Sequence, residues 1–295
     1  MRQVAFYILT SVLFLVSGSS GIAQDLPVSV KDFDAASIEV KRKVLTGIAI
    51  YSVELPVADA IALLKAGLLD ADRDVRRVGL SAVAMRASGT QWTAHQPEAR
   101  RERIREEWAN ERPLLVELRP HVLAALNDPD PDIRDDAVFA LERMDFKIGD
   151  RELILSEQTV ADFAARYAPE TVGRVRGKIV QGFAVSPVDF PKLREVLLDA
   201  LEDPHAWVRY QAFVGAKRLE LAAALPKAIS ALAGDPDAQV RRSAADAMGA
   251  YCATFDCLNA LEQALATETD ELARYAIENA VTKVRKKPTG PRIPA

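Results

Sequence analysis

Apolar side chains recur through this chain at three- and four-residue steps, and the runs are cut by short turns rich in Asp and Pro. That step size is the period of an amphipathic α-helix. Four segments repeat one order of helix end, turn and new helix: LLDADRDVRRVGLSAVAM from Leu68, LNDPDPDIRDDAVFALERM from Leu126, LEDPHAWVRYQAFVGAKRL from Leu201 and LAGDPDAQVRRSAADAMGA from Leu232. A fifth, LATETDELARYAIENAV from Leu265, keeps the shape with an altered turn, and weaker copies fall at Val40 and Val175. Each second helix opens with an apolar-basic pair, which places the basic residue at Lys41, Arg76, Arg134, Arg176, Arg209, Arg241 and Arg274. The last three steps are 33, 32 and 33 residues, while the 58 residues from Arg76 to Arg134 require an insertion.

The residues of one unit have physical reasons. An Asp in the turn accepts from the free amides that open the next helix, and Pro stops the preceding helix. With the basic residue as position zero, −1, +3, +6 and +7 share one helical face, for example Ile133, Ala137, Ala140 and Leu141. Small Ala in the middle lets helices approach closely. One pair cannot bury that face alone, so the copies must stack. The expected fold class is all-α: an α-solenoid, or superhelix, of about seven helix pairs.

The Asp-Pro turn followed by Val/Ile-Arg with Ala at +3 and +6 resembles HEAT repeats, in particular the short bacterial class similar to phycobilisome-lyase HEAT-like repeats. The resemblance covers most of Ala35 to Arg285. It implies an armadillo-like scaffold that binds protein or peptide partners, and it says little about activity. HEAT-like hydroxylases hold iron with repeated His-Glu pairs. None of His95, His121 and His205 is followed by Glu here, so the resemblance carries no iron site.

The two ends differ from the array. Met1-Arg2, the apolar run Val4 to Val16 and the small residues from Ser17 to Ala23 read as a signal peptide over 1–23, since about 13 apolar residues fall short of the ~20 that span a bilayer. The repeat domain is then 24–285, with a charged helical insertion at about 90–113, and 286–295 is expected to be a disordered tail. Export to the periplasm or outside the cell exposes Cys252 and Cys257 to an oxidising compartment. They stand either as a disulfide or as two unpaired thiols, one of them buried.

Composition agrees with a helical fold: the chain is 49% hydrophobic but only 6% aromatic. A net charge of −4 gives no basic footprint for nucleic acid. The sequence has no Gly-rich phosphate loop, no Gly-x-Ser-x-Gly and no HExxH. The acidic run from Asn127 to Asp136 lacks the central Gly and closing Glu of an EF-hand and reads as turn and cap chemistry. No catalytic, cofactor-binding or metal-binding residues are therefore expected, and no cofactor. The recurring Arg is read as structural, paired with an Asp of its own or the adjacent turn.

A binding site is expected in the groove lined by the second helices, at positions +1, +5 and +8. Most residues there are small or polar, but Phe139, Tyr210, Val214 and Tyr275 are not, and Trp207 stands just ahead of its helix. Clustered exposed aromatics mark interaction sites. The expected function is an exported, non-catalytic protein-interaction scaffold. The alternative is a lyase-like or enzyme-accessory protein acting on a modified substrate.

Overall fold

The computed structural model describes residues 29–88 without 51 and 54, then 115–145 and 154–287, with isolated positions 98, 102, 103, 106 and 113. The expected signal segment, most of the expected 90–113 insertion and residues 288–295 lie outside them.

The described residues form α-helices joined by short turns, with no strand. A short α1 (Val30–Ala35) precedes α2 (Ile38–Ala49). Six pairs follow: α3 (Val57–Leu68) with α4 (Arg73–Ala87), α5 (Arg119–Ala125) with α6 (Pro131–Met144), and α7 (Glu157–Tyr167) with α8 (Gly173–Val185). Then come α9 (Pro191–Ala200) with α10 (Ala206–Arg218), α11 (Leu225–Gly234) with α12 (Ala238–Tyr251), and α13 (Phe255–Thr267) with α14 (Glu271–Lys286). Each basic residue singled out by the repeat falls in the first turn of a second helix. Second helices stack on second helices from α2 to α14, and first helices cover one side of that layer. This is an α-solenoid.

The turns do what their residues dictate. Asp72, Asp130, Asp237 and Asp270 are N-caps whose carboxylates accept from the amides two or three residues on. Pro131 occupies the first position of α6, where a missing N–H costs nothing. One continuous core runs the length of the stack. The second helices bury −1, +3, +6 and +7, including Val75, Ile133, Ala137, Ala140, Ala212, Ala216, Val240 and Ala244. Four fully buried phenylalanines, Phe33, Phe163, Phe183 and Phe213, fill the spaces between layers.

The last helix of the array, α14, runs to Lys286, and the Lys287 ammonium donates to the carbonyls of Gly249 (3.3 Å), Ala250 (2.6 Å) and Cys252 (3.1 Å). It thereby satisfies the free carbonyls at the C-terminus of α12.

Cys252, which ends α12, and Cys257, in the first turn of α13, form a disulfide with Cα atoms 6.4 Å apart; both side chains are buried. The loop it closes is short, so the chain-entropy contribution is about 2 kcal/mol. A Cys252→Ser, Cys257→Ser double variant is expected to lose that much unfolding free energy, read as a lower urea midpoint, with the far-UV circular dichroism of the native state unchanged. An unaltered midpoint would show that the bridge contributes nothing to folding.

Candidate functional site

The helix layer is registered by a ladder of side chains that the turns build. Six of the seven units carry an acid six residues before the basic residue: Asp70, Asp128, Glu170, Asp203, Asp235 and Glu268. Each accepts from the backbone amide two residues on, at 2.8–2.9 Å, which closes the turn. The same carboxylate is gripped by the basic residue of the preceding unit. Arg134 holds Glu170 with both Nε and Nη2 at 2.8 Å, Arg176 holds Asp203 at 2.6 and 2.9 Å, Arg209 holds Asp235 at 2.7 and 2.8 Å, and Arg241 holds Glu268 at 2.7 Å twice. Lys41 reaches Asp70 at 2.7 Å and Arg76 reaches Asp128 at 3.0 Å. The remaining guanidinium nitrogen, Nη1, donates to carbonyls of the arginine's own turn, as Arg209 does to Asp203 and Pro204.

These bidentate pairs are charge-assisted and largely out of water, so the ladder is a fastener and not an anion site. Burial alone would raise the Glu170 carboxyl, but hydrogen bonds from Arg134, the Val172 amide and Arg166 hold it down at about 2. The Arg241 hydrogen bond holds Glu268 at about 2 as well. The ladder stops at Arg274, which is half exposed, reaches Glu278 of its own helix at 3.4 Å and donates to the Leu265 carbonyl of α13 at 3.3 Å.

With the helices in one register, the solvent face of the second-helix layer is made of positions −2, +1, +5 and +9. The expected +8 row is not on it for most units. Ala84, Glu142, Ala184 and Gly249 occupy +8 and are buried, because the next second helix covers that position.

This face has two halves of different chemistry. Between α4, α6 and α8 it is ionic and satisfied. Asp132 is shared by Arg73 (2.5 Å), Arg77 (3.7 Å) and Arg174, while Arg73 also meets Asp130, Arg77 meets Asp136 (2.9 Å) and Arg174 meets Asp135 (3.1 Å). Burial pushes the carboxyls of Asp135 and Asp136 up despite these cations.

From α10 to α14 the face carries aromatic side chains on its two outer helices. Trp207 is the second residue of α10, within the helix and not ahead of it, and its indole packs against Gly177 of α8. Gly177 has to be glycine: a Cβ there would collide with the six-membered part of the ring. Trp207, Tyr210 and Val214 are each half-buried on one face of α10. Tyr275 and Leu272 on α14 are exposed, at 66% and 63%. Phe139 is set apart from them. It sits on α6 with the Arg143 guanidinium 4.7 Å and the Lys178 ammonium 5.2 Å from its ring centre, inside the ionic half. The structure thus groups Trp207, Tyr210 and Val214, brings Tyr275 onto the same side two helices away, and leaves Phe139 elsewhere.

Arg242 is the residue of this region that the sequence reading passed over. It is exposed at +1 of α12, between Tyr210 and Tyr275, and its signal was the Arg-Arg pair in which only Arg241 serves the ladder. Among the described residues, no group of three or more His, Cys, Asp or Glu side chains is placed to hold a metal ion, and no helix is long and apolar enough to cross a membrane.

Stacked helix pairs, capped turns and a registering Arg–acid ladder define an α-solenoid of the repeat type. The repeats are HEAT repeats: the family model described as HEAT repeats matches residues 165–249 and 194–282, and the single HEAT repeat model matches 118–146. Among solved structures, Escherichia coli YibA is similar over 88% of this chain and 80% of its own, with a TM-score of 0.58 and 15% identity. The archaeal HEAT-like repeats protein from Thermococcus onnurineus NA1 is similar over 88% of this chain and 98% of its own, with a TM-score of 0.58 and 11% identity. Such likeness shows the fold. No curated protein matches the chain by sequence.

Proposed function

We propose that this protein is an exported, non-catalytic scaffold that captures a protein partner on the second-helix face of its solenoid, at the patch formed by Trp207, Tyr210 and Val214. The observation that carries the reading is the contrast along that face: the α4–α8 half spends its charges on itself, while the α10–α14 half carries Trp207, Tyr210 and Val214 half-buried and Tyr275 exposed. Exposed aromatic surface on a preformed rigid array suits binding, because little ordering entropy is lost when a partner docks. HEAT and armadillo-like arrays are repeatedly used this way. A signal segment and the Cys252–Cys257 disulfide both favour an oxidising compartment.

Trp207→Ala with Tyr210→Ala is expected to reduce recovery of the partner from an envelope extract at least tenfold, with the urea unfolding midpoint lowered only modestly. Undiminished recovery would remove this patch as the binding surface.

A further inference from the structure

The patch has a feature that specifies what it holds. The ladder keeps α10, α12 and α14 in one register, so their +1 residues, Tyr210, Arg242 and Tyr275, form a single row across the layer. Arg242 is exposed and has no ion pair among the described residues. The acid nearest along its own helix, Asp246, is taken by Lys217 of α10 at 3.7 Å. Arg274, beside Tyr275, is engaged by Glu278. The row therefore offers one uncommitted positive charge between two tyrosines, with Trp207 and Val214 widening the apolar end at α10 and Leu272 at α14.

Packed helices lie about 8–10 Å apart, and an extended chain advances about 3.3 Å per residue. A segment in the polyproline II conformation, with three residues per turn and about 3.1 Å rise for each, thus moves from one second helix to the next in about three residues and turns every third side chain to the same face. Resting on the groove reading above, we propose that the row recognises an extended peptide segment carrying an acidic residue, with an apolar residue three positions before it and another three positions after it. The carboxylate pairs with Arg242, and the two apolar side chains lie on Tyr210 with Trp207 and on Tyr275 with Leu272. Each apolar end excludes water from the ion pair, which strengthens it relative to an open surface pair.

The probe is a fluorescein-labelled peptide, Gly-Phe-Ser-Ser-Glu-Ser-Ser-Phe-Gly, titrated with the full chain and read by anisotropy. Replacing its Glu by Lys is expected to weaken binding at least tenfold. Arg242→Glu should invert the preference, losing the Glu peptide and gaining the Lys peptide. Equal affinity for the two peptides, no binding of either, or unaltered affinity on moving the Phe residues one position outward would each overturn the proposal or its spacing. If that happens while Trp207→Ala with Tyr210→Ala still abolishes partner capture, the groove reading stands and the peptide pattern falls. If sedimentation shows a dimer of the chain that Tyr275→Glu dissolves, the row belongs to a second copy and the proposal is wrong.

Discussion

Replacing Arg134 by alanine is expected to destabilise the fold by about 3–5 kcal/mol, whereas Arg274→Ala should cost under about 1 kcal/mol. The two arginines occupy the same register of the same repeat, so the difference comes from surroundings alone. Arg134 is 8% exposed and its partner Glu170 is fully buried. Removing the guanidinium takes the bidentate partner from that carboxylate, leaving it Arg166 and the Val172 amide, and it leaves the Asp128 and Pro129 carbonyls short of a donor. Arg274 loses a half-exposed pair with its own helix. Urea unfolding of both variants, followed by far-UV circular dichroism, checks the ranking. Equal midpoints would mean that the ladder does not fasten the stack.

The same pair sets an acid limit. Glu170 and Glu268 titrate at about 2 in the folded chain, against an ordinary value of 4.5. The folded state thus favours the ionised form, and the stabilisation is complete above 4.5 and is lost as pH falls from there toward 2. In Arg134→Ala the Glu170 value moves up, so acid unfolding should begin at higher pH than in the parent. Because repeats interact only with neighbours, a break between α6 and α8 should also uncouple the units on its two sides and split one unfolding transition into two.

How much of this could be read from the sequence depends on whether a residue's role repeats. The turn and the basic residue recur because every unit must close the same loop and grip the same neighbour, so seven basic positions mark seven second helices. The acids were harder to see. At 170 and 268 the ladder uses Glu in place of Asp, and neither turn contains Asp-Pro, so an eye following Asp-Pro passes over them. Their signal was the constant six-residue offset. The groove rows went astray at +8 because a helical wheel drawn for one helix ignores the next helix, which covers Ala184 and Gly249. Trp207 and Gly177 are 30 residues apart and meet only when units stack, so neither predicts the other's role. Phe139 matches Val214 in register but is closed in by Arg143 of its own helix and by Lys178 of α8, a cation that a single helix face does not show.

Glu142 breaks the pattern most sharply, and Glu142→Gln is expected to stabilise the folded protein at neutral pH by about 1–2 kcal/mol. The residue is 5% exposed at +8 of α6, where four other units carry Ala or Gly. It points at Gly182 of α8, where a Cβ would lie 2.5 Å from its Oε1, and Phe163 is the next atom group beyond. Among the described residues Oε1 has no hydrogen-bond partner. Burial raises the carboxyl above its ordinary 4.5, and the nearby positive charges of Lys178 and Arg143 offset only part of this. A raised folded value means that the folded chain prefers the protonated acid. Its contribution is therefore most favourable below pH 4.5 and is lost as pH rises through the folded value, opposite in sign to Glu170 and Glu268. Glutamine keeps the shape and removes the charge, so the gain in urea midpoint should be present at pH 7 and absent near pH 4. A loss of stability at pH 7 would show instead that the ionised carboxylate is a working partner of Lys178 and Arg143. The seam between α6 and α8 would then be held by charge as the ladder is, and the cavity left by Gly182 would exist to admit it.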